Sequence, residues 1–264
     1  SFIDKDRLFF EIQQEIDLTY KPFTIIEEKN WNKWLYESSG KPINSERDIE
    51  WNFTNDYLDL VEGKYGTQTR EKVSKESLAI LNYLQDPADE GKWARKGMVV
   101  GDIQSGKTGN YNALITRAAD AGYKFIIILA GATKDLRTQT QLRIDNDFRG
   151  SSTIPPKEKI GVGLAKNHPD VTTYTNASDG GDFRQTNTEV ININKLSKDT
   201  PTYIVVKKNK SVLDNIYKWL VEEKTNGDIR KKISNDVPML FIDDECDYAS
   251  PNVAKEDEDP KAIN

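Results

Sequence analysis

Apolar positions along this chain fall into two textures. Up to about residue 90 they recur at helical spacing. Leu8, Phe9, Phe10, Ile12 and Ile16 outline an amphipathic first helix, and Trp31, Trp34 and Leu35 a second apolar face. Ser38-Ser39-Gly40-Lys41-Pro42 then reads as a loop. Trp51, Phe53, Tyr57, Leu58 and Val61 resume the helical period. Val73, Leu78, Ile80, Leu81 and Leu84 predict a further helix that stops at Asp86-Pro87.

From about residue 95 short apolar runs of strand length alternate with helical stretches. Gly97-Met98-Val99-Val100 predicts a short buried strand that runs into Gly101, and Tyr111 to Ala121 a helix. Lys124–Ala130 predicts a strand buried on both faces, and Leu136–Ile144 a helix. Ile160–Leu164 reads as a strand, 166–188 as a polar loop, and Tyr203–Val206 as a strand. Val212–Lys224 reads as a helix and Met239–Ile242 as a strand. Strands separated by helices predict βαβ units and a parallel sheet. The expectation is an α/β fold in two parts: a helical N-terminal region over 1–90 and a phosphate-loop lobe over 91–264.

Candidate chemistry sharpens this picture. Gly101-Asp102-Ile103-Gln104-Ser105-Gly106-Lys107-Thr108 is a complete G-x-x-x-x-G-K-[ST] loop between a predicted strand and a predicted helix. In that context the glycines let successive N–H groups face phosphate oxygens, and the helix N-terminus adds partial positive charge. Lys107 reaches the β- and γ-phosphates and the Thr108 hydroxyl ligates Mg²⁺. Gly101, Gln104, Ser105, Gly106, Lys107 and Thr108 are therefore the expected ATP-binding residues. About 135 residues further on, Met239 to Asp247 is an apolar strand that ends in carboxylates. It delivers them to the sheet edge where a metal-organising Asp and a water-activating Glu belong. Asp244 is read as the metal residue and Glu245 as the water residue, with Asp243 the alternative to Asp244.

Composition bounds the rest. A net charge of -6 argues against bulk electrostatic coating of nucleic acid but leaves room for a local basic track. The single Cys246 excludes an internal disulfide and fits a reducing cytosol; the single His168, in a polar Asn-His-Pro-Asp stretch, reads as a surface residue. No apolar run approaches membrane-span length. Trp93 and Lys96 are candidates for adenine contacts, with Trp93 in the core as the other reading. Glu256-Asp257-Glu258-Asp259 reads as a solvated acidic run. A start at Ser1 and only 17 residues after Asp247 suggest a piece of a longer protein.

These residues carry a resemblance. Asp244-Glu245-Cys246-Asp247 looks like the D-E-x-D box of superfamily 2 helicases and translocases. Ala130 to Gln139 is similar to the segment those enzymes place after their second strand, where a Thr and a Gln contact the nucleic-acid backbone. More closely, four stretches together resemble the bacterial Z-one domain over roughly residues 70 to 250. They are Gly97–Gly101 with Gln104–Thr108, Leu136…Gln139…Arg143, Val205-Val206-Lys207-Lys208-Asn209 with Val212-Leu213 and Trp219-Leu220, and Ile242–Glu245. That domain carries an endonuclease label, and its proteins look like ATPases of restriction and phage-defence loci. The resemblance implies the first RecA-like lobe of a helicase-like ATPase, with catalytic Lys107, Asp244 and Glu245. It also implies a DNA track, with RNA left open, at Thr133, Arg137, Gln139, Lys207, Lys208 and Asn209, and partner proteins of a defence operon. The other readings are a helix cap for Thr133, a polar helix face for Arg137 and Gln139, and a basic turn for Lys207–Asn209. No D…E-x-K nuclease constellation is present, and the residues after Asp247 are too few for a second lobe. A nucleotide-gated interaction module without translocation is the competing expectation.

Overall fold

The computed structural model describes residues 33–37, 39–43, 48–91, 93–99, 107–184, 200–225, 228–231 and 237–244. Two helices, α1 (Asn52–Tyr65) and α2 (Thr67–Tyr83), precede α3 (Lys107–Ala121) and strand β1 (Phe125–Ala130). Helix α4 (Lys134–Ile144) runs into a π-helical turn, Asp145–Arg149. A 3₁₀ turn at Gly161–Leu164 and the two-residue β2 (Thr172–Thr173) lead to β3 (Thr202–Val206) and α5 (Lys210–Val221). A small antiparallel pair, β4 (Glu222–Thr225) and β5 (Asp228–Lys231), comes before β6 (Met239–Asp244).

The main sheet is parallel, in the order β2-β3-β1-β6. With the helices around it, this gives an α/β architecture. All six residues of β1 are buried, because the strand is paired on both sides and covered on both faces. Strand alternation sorts the core in two. Even-numbered Ile126, Ile128 and Ala130 of β1, Tyr203 and Val205 of β3, and Leu240 and Ile242 of β6 pack with Leu114, Ile115 and Ala118 of α3. Odd-numbered Phe125, Ile127, Leu129 and Met239, with Ile204 and Val206, pack with Ile216 and Trp219 of α5. Each buried aliphatic side chain contributes about 1.5–3 kcal/mol.

The two N-terminal helices are bolted to α3 by polar contacts. Phe53 N, Thr54 N and Thr54 Oγ1 all donate to the Asp120 carboxylate, at 3.1, 2.9 and 2.6 Å. A carboxylate from α3 thus caps α1, which has no side-chain cap of its own. Burial outweighs these donors and pushes the Asp120 pKa up to about 6. Arg117 donates to Ser77 Oγ, Ser74 O and Ser74 Oγ and lies over the Trp51 ring. Burial lowers its pKa to about 10.

Four expectations need correction. Residues 97–99 form no strand, and Met98 and Val99 are 77% and 49% exposed. Ile160–Leu164 is a 3₁₀ turn, not a strand, because Gly150 and Gly163 meet backbone to backbone. A Cβ on Gly163 would lie 1.8 Å from Gly150 O, which leaves no room for a pleated strand with side chains. Trp34 and Leu35 lie in a bend closed by the Tyr36–Pro42 bridge rather than in a helix. His168 is not a surface residue: its side chain is 4% exposed. Nδ1 meets Asp56 Oδ2 at 2.7 Å and Nε2 meets Phe148 O at 2.8 Å. The first predicted helix, Trp31, Cys246 and the acidic run lie outside the described residues.

Candidate nucleotide site

Chain direction places the described candidate residues. Only Gly122 to Lys124 separate α3 from β1, so the helix runs back against the strand it precedes. The first turn of α3, with Lys107 and Thr108, therefore sits at the carboxyl edge of the sheet. The remaining loop residues, Gly101, Gln104, Ser105 and Gly106, lie outside the described residues, as does Glu245.

Strand β6 brings two carboxylates to that same edge and its pleat separates them. Asp244 pairs in register with Ala130 and belongs with Leu240 and Ile242 on the α3 face. Asp243 pairs with Leu129 and belongs to the α5 side. Their surroundings differ accordingly. Lys208 Nζ meets Asp243 Oδ1 at 2.5 Å, and the lysine side chain is 1% exposed. A buried ammonium demands such a counter-charge. Lys208 N also donates to Gly131 O at 2.8 Å, which ties the end of β3 to the end of β1.

Asp244 instead faces Tyr111, in the second turn of α3, and Tyr111 has Arg143, exposed on α4, as its other charged neighbour. The Tyr111 hydroxyl is buried, and neither neighbour meets it at good hydrogen-bonding geometry. Burial, then the Asp244 charge, push the phenol pKa up to about 12, while Arg143 opposes the shift. Tyr111 was not singled out in the sequence. Its signal was its place four residues after Lys107, on the same helix face.

The six residues proposed for a nucleic-acid track separate into two groups. Arg137 is 1% exposed, and its guanidinium donates to Asn176 O and Ser178 O at 2.9 and 3.0 Å. Lys208 is spent on Asp243. Neither offers a face to a phosphate backbone. Thr133 caps α4 by accepting from Leu136 N at 3.2 Å, and Asn209 caps α5 by accepting from Ser211 N. Gln139 is exposed. Lys207 Nζ stands 3.9 Å from Asp182, whose carboxyl is pushed up by burial. Trp93 packs edge-on against Tyr123 beside the α3 core, the core alternative of its two readings.

Among the described residues no three His, Cys, Asp or Glu side chains gather into a metal cluster. A single carboxylate suits Mg²⁺ that takes its remaining ligands from phosphate and water. The Tyr111 hydroxyl beside that carboxylate is buried without a bond and so is open to a polar partner. No family model matches the chain, and no curated protein or solved structure matches it either. Among the described residues no helix is long and apolar enough to cross a membrane.

Proposed function

We propose that this chain is a Mg²⁺-dependent ATPase with a RecA-like lobe of superfamily 2 type, acting on DNA in a bacterial restriction or defence system. The observation that carries the reading is the meeting of Asp244 with the opening of α3 on one sheet face and at one edge. The loop motif and the carboxylates of the acidic strand are about 135 residues apart in sequence, and the fold supports their acting together.

In this reading Lys107 and the loop amides hold the phosphates. Thr108 and Asp244 hold the metal, and Glu245 orients the attacking water. Bound there, Mg²⁺ would supply positive charge against the charge that develops in phosphoryl transfer. The chemistry is in-line hydrolysis of the terminal phosphate by water.

A second reading has a specific observation behind it. Arg137 and Lys208 are buried and engaged, which thins the proposed DNA track to Lys207, Gln139 and the two capping residues. That favours a nucleotide-gated module which changes partners without translocating. ATP turnover, measured with and without single-stranded DNA, duplex DNA and RNA, separates the two. Stimulation by DNA that is lost in Lys107→Ala and Glu245→Gln supports the motor. Turnover lost in both variants but indifferent to every nucleic acid supports the module. Turnover or ATP binding unchanged in Lys107→Ala overturns the site itself.

A further inference from the structure

We propose that Tyr111 is a positioning residue for Asp244. Its phenolic O–H donates to the carboxylate and would hold it in the orientation that ligates a divalent cation. This rests on the nucleotide-site reading above and adds a residue that the loop and strand motifs do not contain.

Three observations lead there. The Tyr111 oxygen is buried yet unbonded, which costs about 1–3 kcal/mol unless a partner is supplied. Asp244 is the acceptor within its reach, at the carboxyl edge where the first turn of α3 opens. Tyr111 also shares a helix face with Lys107, one turn behind it, so the donor approaches from behind the phosphate-binding end. A carboxylate has two oxygens and about four acceptor positions, so a metal and a phenol are served together. The same molecule already contains this contact in finished form. Tyr203 Oη donates to Asp145 Oδ1 at 2.5 Å, in a buried setting where every member is satisfied.

Carboxylates that bind metals are themselves oriented by hydrogen bonds, and loss of such an outer partner weakens metal binding about 10- to 100-fold. Mn²⁺ binding in the presence of ADP, followed by loss of the free-ion EPR signal, reads this directly and without turnover. Tyr111→Phe deletes only the unbonded oxygen. The expected result is Mn²⁺ affinity lowered about 10-fold, with ADP affinity in EDTA as in the wild type and a melting temperature no lower than the wild type's. Mn²⁺ binding by Tyr111→Phe equal to wild type, beside loss of binding in Asp244→Asn, overturns the role of Tyr111 and leaves the metal site standing. Undiminished Mn²⁺ binding in Asp244→Asn overturns the metal site and the role of Tyr111 together. A Tyr111→Phe chain that melts lower and loses metal-free ADP affinity as well marks a structural tyrosine and also overturns the proposal.

Discussion

Two tyrosine–carboxylate contacts sit on the same face of the sheet and differ in completeness. At Asp145 the polar atoms are saturated: Tyr203 Oη and Gln141 Nε2 donate to Oδ1, and Thr153 N and Oγ1 donate to Oδ2. Thr175 Oγ1 donates to Gln141 Oε1 and accepts from Val205 N, which stitches the 150–184 excursion to β3. Asp145, Gln141 and Tyr203 are all fully buried. At Asp244 the neighbouring phenol is buried without a bond, the cation beside it is exposed, and the carboxylate stands at a strand end. A saturated network has nothing left to offer a ligand, and its work is to fix the fold. A buried hydroxyl left without a bond, as at Tyr111, stores polar capacity, at some cost in stability, where a ligand can use it.

The strongest way to break this comparison is Asp145→Ala. It strands two buried donors and a threonine and is expected to cost about 3 kcal/mol. Urea unfolding checks it, and a loss below about 1 kcal/mol would mean the network is not structural.

Asp120 sharpens the comparison, because it is well supplied with donors and still has a raised pKa. Between its ordinary value of 3.8 and about 6 the folded chain holds the proton more tightly than the unfolded one. The contribution of Asp120 to stability is therefore fully present below that window and is lost as pH rises through it, by up to roughly 3 kcal/mol. Unfolding free energies at pH 4, 5, 6 and 7 should show this fall in the wild type. Asp120→Asn should flatten it and be less stable throughout, since an amide group would face backbone donors.

The last pair removes one oxygen from each site. Tyr203→Phe is expected to cost about 1.5 kcal/mol, with loss of a bond to a charged group. Tyr111→Phe should not lower stability and should raise it by up to about 1 kcal/mol, since no bond is lost and an unbonded buried hydroxyl is removed. Parallel denaturation curves of the two variants check this, and equal losses would erase the distinction.

Much of the fold was legible because its strongest signals are local. Phe125–Ala130 is an unbroken apolar run and reads as a strand with no tertiary knowledge. The helices over 52–83 were readable from their apolar period. The position of Asp243 and Asp244 was legible for the same reason, as the end of an apolar strand. What escaped reading depends on partners far along the chain. His168 lies among polar neighbours, and its burial comes from Asp56, 112 residues away. Arg137 looks like any residue of a polar helix face until the loop at Asn176 and Ser178 closes over it. Tyr111 was readable only as the first residue of a predicted helix, since its counterpart Asp244 arrives from a distant strand. Met98 and Val99 show the opposite failure, where an apolar run alone did not secure a strand.

The Lys208–Asp243 pair has a consequence for the accuracy of assembly. β6 joins the main sheet along β1, and a slip of one residue there would exchange the faces of two side chains of identical chemistry. Hydrophobicity alone distinguishes the two alignments weakly at the strand end, where the sequence is Asp-Asp. A buried lysine that accepts only the odd-numbered carboxylate acts as a key cut for one tooth. It locks the ladder at its far end and, by claiming one aspartate, determines which of the twins is delivered to the helix that begins at Lys107.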